Sequence, residues 1–190
     1  MKCMKCNGPV YDTIDSIHCL NCDDKTQNYS RNEIIKAKEL FEAAQISINL
    51  GKTDETLDQL KKCLRIRRRV LYKYNEDITN TLNLMGEVYK IMGQWIDSIT
   101  CLENALAAVR ERFGSYSIEF LNQLNDLTDV CLIYLGKELN ININIYKKIL
   151  KKTQNYLNQL EKIASFNYGC WNKVYEDIKQ KQKKIDCCRT

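Results

Sequence analysis

The sequence carries Leu50-Gly51-Lys52, Met92-Gly93-Gln94 and Leu135-Gly136-Lys137, three similar stretches at spacings of 42 and 43 residues. Apolar positions recur with the same period, namely Leu60, Leu102 and Ile145 in one set and Leu64, Leu106 and Ile149 in another. Repeats of this length are typical of stacked helical units that bury a shared apolar face. The pattern therefore predicts a solenoid.

Each of the three glycines is expected to end one helix and open the turn to the next. The residue after a helix commonly takes a left-handed conformation, which glycine adopts without strain. Each unit then consists of two antiparallel helices, and the capping box Ser30-Arg31-Asn32-Glu33 predicts where the first one starts. The predicted pairs cover residues 30–50 and 53–73, 77–92 and 95–113, and 116–135 and 139–164, and a closing helix follows near 171–185.

Two cysteine pairs near the N-terminus, Cys3-x2-Cys6 and Cys19-x2-Cys22, are separated by 12 residues. Four thiolates with this spacing can surround one Zn²⁺ tetrahedrally while the residues between them form a short hairpin. Asn7 and Gly8 tolerate the left-handed backbone that such a turn needs. The sequence predicts a structural zinc knuckle, with His18 as the alternative ligand to one thiolate.

The predicted fold is all-α: a tetratricopeptide-like solenoid of antiparallel helix pairs with a small N-terminal zinc ribbon or knuckle. The knuckle covers residues 1–29, three helix pairs cover 30–165, and the closing helix and basic tail cover 166–190. The closing helix would cover the end of the stack, or alternatively bind a membrane surface or calmodulin.

Composition limits the surroundings of the protein. The ten cysteines lie in the two pairs or mostly inside helical patterns, which favours a reducing compartment, the cytoplasm or the nucleus or both. Cys63, Cys101 and Cys131 are expected in the core. No run of about 18 apolar residues is present, so no membrane span is expected. The net charge of +5 permits an acidic partner without requiring one.

The order of the motifs resembles one protein family. Cys3-Met-Lys-Cys6-Asn-Gly-Pro9 and Cys19-x2-Cys22 are followed by repeats carrying Ala105-x7-Phe113-Gly114. This order is similar to the C-terminal part of SET-and-MYND-domain proteins, in particular the type that bears tetratricopeptide repeats. The resemblance extends to about residue 165. It implies that Cys3, Cys6, Cys19 and Cys22 are the zinc ligands of the cluster that precedes the helices in that family.

Complete members of the family resemble protein-lysine methyltransferases, which use S-adenosylmethionine and act on histones or other proteins. Their Asn-His-x-Cys segment and Gly-x-Gly cofactor loop have no match in this sequence. No catalytic or cofactor-binding residue is therefore carried over. As a fragment, the chain would come from such an enzyme; as a free-standing protein, it would be a remnant kept for binding.

Two surfaces are candidates for binding. Repeats of this kind usually bind a peptide on the concave face, which the first helices of the pairs line. Exposed residues expected there are Lys36, Asn80, Asn83 and Lys90, which could clamp the C-terminal carboxylate of a chaperone tail. Arg65, Arg67, Arg68 and Arg69 form a predicted basic patch that would attract phosphate or an acidic peptide. For both sets the alternative is an ordinary solvated helix face.

The predicted function is protein binding or scaffolding, without a complete active site in the chain. Two alternatives remain: a nucleic-acid-binding zinc module that uses the arginines, and a free-standing chaperone adaptor. Nucleic acid is disfavoured at the hairpin, because Val10 to Ile17 carries Asp12 and Asp15 and no Lys or Arg.

Overall fold

A computed structural model describes residues 1–12, 17–25, 31–137 and 142–187. The predicted helix cap at Ser30 and the predicted helix start at 139 lie outside these residues. The chain consists of two compact units, Met1–Gln94 and Trp95–Thr190. The domain boundaries proposed after residues 29 and 165 stay predictions.

The first unit begins with two short antiparallel strands, β1 (Val10–Asp12) and β2 (Ile17–Cys19). Three helices follow, α1 (Arg31–Asn49), α2 (Thr53–Val70) and α3 (Glu76–Ile91). Helix α2 packs against both α1 and α3. The side chains buried between them include Ala37, Ala44, Leu60, Cys63, Leu82 and Val88.

The second unit contains four helices, α4 (Trp95–Phe113), α5 (Ile118–Leu135), α6 (Ile143–Tyr168) and α7 (Lys173–Cys187). Helix α5 packs against α4 and α6, and α6 also packs against α7. Apolar residues spaced three or four apart place one stripe of each helix toward a common interior. Buried members of this core include Leu102, Leu124, Leu127, Leu157, Leu160 and Ile178.

Four threonines have fully buried side chains within the helices. A buried hydroxyl is costly unless it forms a hydrogen bond. Each of these hydroxyls donates to the backbone carbonyl four residues earlier, so no partner from another helix is needed. The bonds are Thr56 Oγ1 to Lys52 O at 2.8 Å, Thr81 Oγ1 to Asp77 O at 2.7 Å, Thr128 Oγ1 to Leu124 O at 2.7 Å and Thr153 Oγ1 to Ile149 O at 2.8 Å.

The glycine turns match the repeat prediction in two of three places. Gly51 and Gly93 both have φ of 74°, the expected left-handed conformation. Gly136 instead has φ of −81° and ψ of −4°, so the left-handed prediction is wrong there. Gly114 and Gly169, which follow α4 and α6, have φ of 88° and 80°. The third sequence repeat therefore keeps the glycine of the other two, but this glycine does not adopt their left-handed backbone conformation.

The predicted all-α, tetratricopeptide-like fold with a small N-terminal cysteine cluster is confirmed. The predicted recurrence of core positions is wrong at Ile145, which lies in the first turn of α6 and is 39% exposed. Leu60 and Leu102, its counterparts, are buried. The first turn of a helix often projects beyond the neighbouring helices, so a repeat alignment that ignores helix starts misplaces such a residue.

The predicted core cysteines are confirmed, because Cys63, Cys101 and Cys131 are all buried. The Cys63 thiol donates to Ala37 O at 3.1 Å. Burial raises the pKa of Cys63, and it raises the pKa of Cys131 to about 12. Both thiols are therefore neutral at physiological pH and act as small apolar side chains.

Candidate metal centre and helical surfaces

The four N-terminal cysteines lie together. The sulfur atoms of Cys3, Cys6, Cys19 and Cys22 are all within 4.8 Å of one another. Cys3 Sγ is 3.7 Å from Cys22 Sγ, and Cys6 Sγ is 3.4 Å from Cys19 Sγ. Cys3 and Cys19 are buried, whereas Cys6 and Cys22 face solvent. This arrangement could hold one metal ion between the four sulfurs.

Two similar backbone turns present the sulfurs. In the first, the amide of Lys5 donates to Cys3 Sγ at 3.3 Å and the amide of Gly8 donates to Cys6 Sγ at 3.4 Å. In the second turn, the amide of Asn21 donates to Cys19 Sγ at 3.3 Å. Such amide bonds stabilise negative charge on sulfur and orient the ligands.

A left-handed residue follows the second cysteine of each turn. Asn7 has φ of 59°, as the sequence predicted, and Asp23 has φ of 52°. Both are residue types whose short polar side chains tolerate this conformation. The strands between the turns form the predicted hairpin, in which the rings of Tyr11 and His18 contact edge to face.

The ionisation of the thiols reflects their crowding. Burial opposes charge on Cys3, but the amides of Cys6 and Lys5 and the neighbouring thiols lower the pKa of Cys3 to about 6. The Gly8 amide favours charge on Cys6, yet the Cys19 thiol and burial raise the pKa of Cys6 to about 12. Several thiolates so close together repel one another. A divalent cation in their midst would remove that repulsion.

The cysteine cluster is attached to the end of α2 through Lys2. The backbone amide of Lys2 donates to Val70 O at 3.0 Å, and Lys2 Nζ donates to Arg68 O at 3.3 Å. The last carbonyls of a helix have no partner within the helix and favour a nearby cation. Lys2 supplies both a donor and a positive charge, so the residue next to Cys3 caps α2.

Arg67 does not belong to the predicted basic patch. Its side chain is buried, donating to Asp77 O and Thr81 Oγ1, each at 2.6 Å. The guanidinium also lies over the Phe41 ring, 4.6 Å from its centroid. Arg67 therefore joins α2 to the first turns of α3 and to α1. The sequence run of arginines gave no sign that one of them points inward.

The other three arginines lie on the exposed side of α2, but one of them is already paired with a carboxylate. Arg69 pairs with Glu33 of α1 at 2.5 Å. Arg65 and Arg68 have exposed side chains. The basic patch on the described surface is consequently weaker than the four-residue run suggests.

The predicted groove residues all lie in the first unit, Lys36 on α1 and the others on α3. Lys36 and Asn80 are exposed, and Asn83 is half-buried. Lys90 is half-buried and pairs with Glu87 on its own helix. A role for these residues in binding a carboxylate stays a prediction.

One interhelical network could not be seen in the sequence. Glu103 of α4 accepts hydrogen bonds from Lys152 Nζ at 2.5 Å and from Tyr156 OH at 2.6 Å, both on α6. About fifty residues separate these partners, and no local pattern in the sequence connects them.

None of the described helices combines the length and apolar character needed to cross a lipid bilayer.

Comparison with known proteins supports the predicted fold but does not assign the chain to a family. No family model matches the sequence, and no curated protein matches it either. Among solved structures, a kinesin-light-chain-like protein of Podosopora anserina with nearly identical TPR-like repeats superposes with a TM-score of 0.63, at 12% identity over 84% of this chain and 78% of that chain. A variant of the same Podosopora protein with one residue replaced gives a TM-score of 0.60 at 12% identity, covering 80% and 73%. BtubC of P. vanneervenii gives 0.52 at 9% identity, covering 86% and 68%. The chain therefore has a TPR-like fold, and a relationship to SET-and-MYND proteins is not shown.

Proposed function

We propose that this chain is a protein-interaction module in which a structural zinc ion stabilises the N-terminal end of a TPR-like helical array. The observation that carries the proposal is the packing of the helices. Within each unit the principal packing of every helix is against its neighbours in sequence. Helices packed in this way leave long faces exposed, and repeat proteins use such faces to bind segments of other proteins.

Zinc is the metal that best fits the sulfur cluster. Structural sites with four thiolates and tetrahedral geometry are characteristic of zinc. In such a site each sulfur lies about 2.3 Å from the ion, and the four sulfurs here are close enough to share one ion. All four ligand positions are filled by protein, so the ion would support folding and leave no open position for a substrate.

The experiment for the metal is elemental analysis of protein purified without chelators. We expect one zinc per chain, and loss of zinc on Cys19→Ser. Cys170→Ser is the matched control, because Cys170 is exposed and lies outside the cluster. Protein that is folded and free of any metal would contradict the zinc assignment.

The experiment for protein binding is cross-linking mass spectrometry of complexes isolated on the tagged chain, followed by reconstitution from purified components. Support would be a reconstituted complex whose cross-links reach the chain through helix residues. If the chain remains a lone species after reconstitution with each candidate, the interaction function is contradicted.

A finer assignment follows from the resemblance to SET-and-MYND methyltransferases. Its support is the order of a four-cysteine cluster directly before TPR-like helices. The DNA upstream of Met1 tests it, because an open reading frame for a SET domain would make this chain the C-terminal part of such an enzyme. Without that domain we expect no methyl transfer from labelled S-adenosylmethionine.

Two other functions have separate tests. A chaperone adaptor would bind peptides through their free C-terminal carboxylate, so amidating the peptide should abolish binding that depends on Lys36 and Asn80. A nucleic-acid module would bind RNA or DNA with an affinity that falls steeply as salt rises. The burial of Arg67 and the pairing of Arg69 make the second function the weaker candidate.

The proposed location is the cytoplasm, the nucleus or both. Its support is the set of thiols arranged for metal rather than for disulfides, which is typical of reducing compartments. Imaging a fluorescent fusion protein in its native cell tests this proposal.

A further inference from the structure

Helices α4, α5 and α6 enclose a groove in the second unit with a volume of about 330 Å³. Helix α5 forms its floor, where Phe120 and Leu124 are buried, and α4 and α6 form its walls. In the repeat order α4 and α6 are the second helices of their pairs. The groove therefore lies on other helices than the predicted peptide-binding residues Lys36 and Asn80, which are on α1 and α3.

A polar network fixes the walls of this groove. The Glu103 carboxylate on α4 accepts hydrogen bonds from Lys152 and Tyr156 on α6, at 2.5 and 2.6 Å. The charge of Glu103 is thereby compensated by Lys152. The side chains of Glu103 and Lys152 are 28% and 34% exposed, so the network is partly shielded from water. The groove has a preformed shape, which lowers the entropic cost of binding.

Among the described residues that line the groove, the charge left after the Glu103–Lys152 pair is positive. Arg110 lines the groove and has an exposed side chain, and Lys148 lies one turn before Lys152 on the same face of α6. Within the described part of the chain, neither Arg110 nor Lys148 forms an ion pair. From Ile143 to Leu160, α6 carries Lys147, Lys148, Lys151 and Lys152 and no acidic residue. A partner that places carboxylates along this wall would be attracted to it.

We propose that this groove binds an acidic segment of a partner protein, which inserts one apolar side chain beside Leu106 and Ala107 and places carboxylates against Arg110 and Lys148. Ala107 leaves the necessary space, because it lines the groove on α4 with an exposed side chain of one methyl group. The groove inference rests on the proposed protein-interaction function and names its surface and the chemistry of its partner.

The test is selection of random peptides displayed on phage against the purified, zinc-loaded full chain, followed by affinity measurements with the synthesised peptides. We expect the selected peptides to share acidic residues next to a Leu or a Phe. Arg110→Glu should weaken their binding by about tenfold or more, because it replaces attraction by repulsion. Arg65→Glu is the matched control, since it makes the same charge change at an exposed position of α2 in the other unit.

A second variant tests the apolar contact without changing any charge. Ala107→Trp should fill the groove and abolish binding, while circular dichroism shows an unchanged helix content because the residue is exposed. The network variant Glu103→Gln should keep the fold and bind the acidic peptides at least as tightly.

The outcomes separate this inference from the proposed function. Peptides that lack acidic residues, or that bind Arg110→Glu and Ala107→Trp as tightly as the unchanged chain, overturn the groove assignment and leave the protein-interaction function standing. Binding of a homopolymer RNA that Ala107→Trp and Arg110→Glu both abolish would make nucleic acid the occupant and overturn the proposal. If no peptide is enriched at all, the groove assignment is overturned, and the proposed function is decided by the reconstitution of complexes alone.

Discussion

Gly8 of the first cysteine turn packs closely against Asn21 of the second turn. A methyl group at its Cα would lie 2.7 Å from Asn21 Nδ2 and 2.8 Å from Asn21 Cγ, so that one of the two residues would have to shift. The Gly8 amide also donates to Cys6 Sγ. We expect Gly8→Ala to weaken zinc binding by about tenfold, a loss typical of disturbing the groups that orient metal ligands. Competition with a chromophoric chelator measures the affinity.

The companion variant for Gly8→Ala is Asn21→Ala, which removes the two closest atoms. Adding Asn21→Ala to Gly8→Ala should recover part of the lost affinity, since residues in contact couple energetically. Simple addition of the two single effects would show that the contact is not the cause.

Arg67 is the residue that joins the three helices of the first unit. Its replacement by methionine keeps much of the volume but removes the guanidinium that donates to Thr81 Oγ1 and to Asp77 O, and Asp77 O then keeps the Thr81 hydroxyl as a donor. We expect Arg67→Met to lower the free energy of unfolding by about 2–3 kcal/mol. Arg65→Met, on the exposed side of α2, should change it by no more than about 0.5 kcal/mol. Urea unfolding followed by circular dichroism gives both values, and equal effects would contradict the account.

Thiol ionisation predicts that zinc binding releases protons. At neutral pH and without metal, Cys3 with a pKa of about 6 is largely a thiolate, whereas Cys6 with a pKa of about 12 and Cys22 with a raised pKa keep their protons. Zinc must displace those two protons, so affinity should rise as pH increases. Isothermal titration calorimetry in buffers of different ionisation enthalpy should show a buffer-dependent heat. A heat that does not depend on the buffer would contradict this ionisation pattern.

Single residues differ in how far sequence can place them. Cys3, Cys6, Cys19 and Cys22 could be grouped because a turn of fixed geometry brings each pair together locally. Arg67 could not be placed, because its burial depends on Asp77, ten residues away, and on Phe41 of another helix. Lys2 was missed for the same reason, since the helix end that it caps is formed by residues near 70.

At the scale of elements, the C-terminus of α2 depends on the cysteine cluster. The Lys2 amide donates to Val70 O, and Lys2 adjoins Cys3, a proposed ligand of the metal. Without metal the N-terminal turn loses its anchor, and the last turn of α2 loses its cap. We expect chelation to speed amide hydrogen exchange in residues 66–71, as measured by mass spectrometry.

The internal control for that measurement is α5, which lies in the other unit and should exchange at an unchanged rate. A uniform increase in all helices would instead indicate global destabilisation. If exchange in residues 66–71 stays the same while zinc is lost, Lys2 does not depend on the metal for its position.

Helices were more predictable than the turns between them. Periodic apolar residues placed α2 and α4 within a few residues of their observed bounds, because the pattern extends over several turns. The left-handed turn predicted from the repeated glycines is wrong at Gly136. The backbone there is right-handed and has room for a side chain, so the geometry does not require a glycine. The Glu103–Lys152 pair could not be predicted from the sequence, since its partners lie on α4 and α6 and α5 separates these helices along the chain.

At the scale of the whole molecule, the two units should respond differently to metal removal. Both tryptophans, Trp95 and Trp171, lie in the second unit, whereas the cysteine cluster lies in the first. We expect a chelator to lower the melting temperature seen by circular dichroism for part of the helical signal. The melting transition seen by tryptophan fluorescence should stay in place.

Re-addition of zinc is the control for the comparison of the two signals. Re-adding zinc should restore the lost part of the circular dichroism transition, because the ion binds the folded form. If fluorescence and circular dichroism shift together on chelation, metal affects both units and the separation is wrong.

The succession of helix packing also has a consequence for synthesis on the ribosome. Helices that pack mainly on their neighbours in sequence need only short chain closures, and such topologies fold quickly. The α1–α2 hairpin is complete long before α7 has been translated, so its apolar face need not wait for distant residues. Newly made chains should accordingly expose little unfolded length to proteases and aggregation while translation continues.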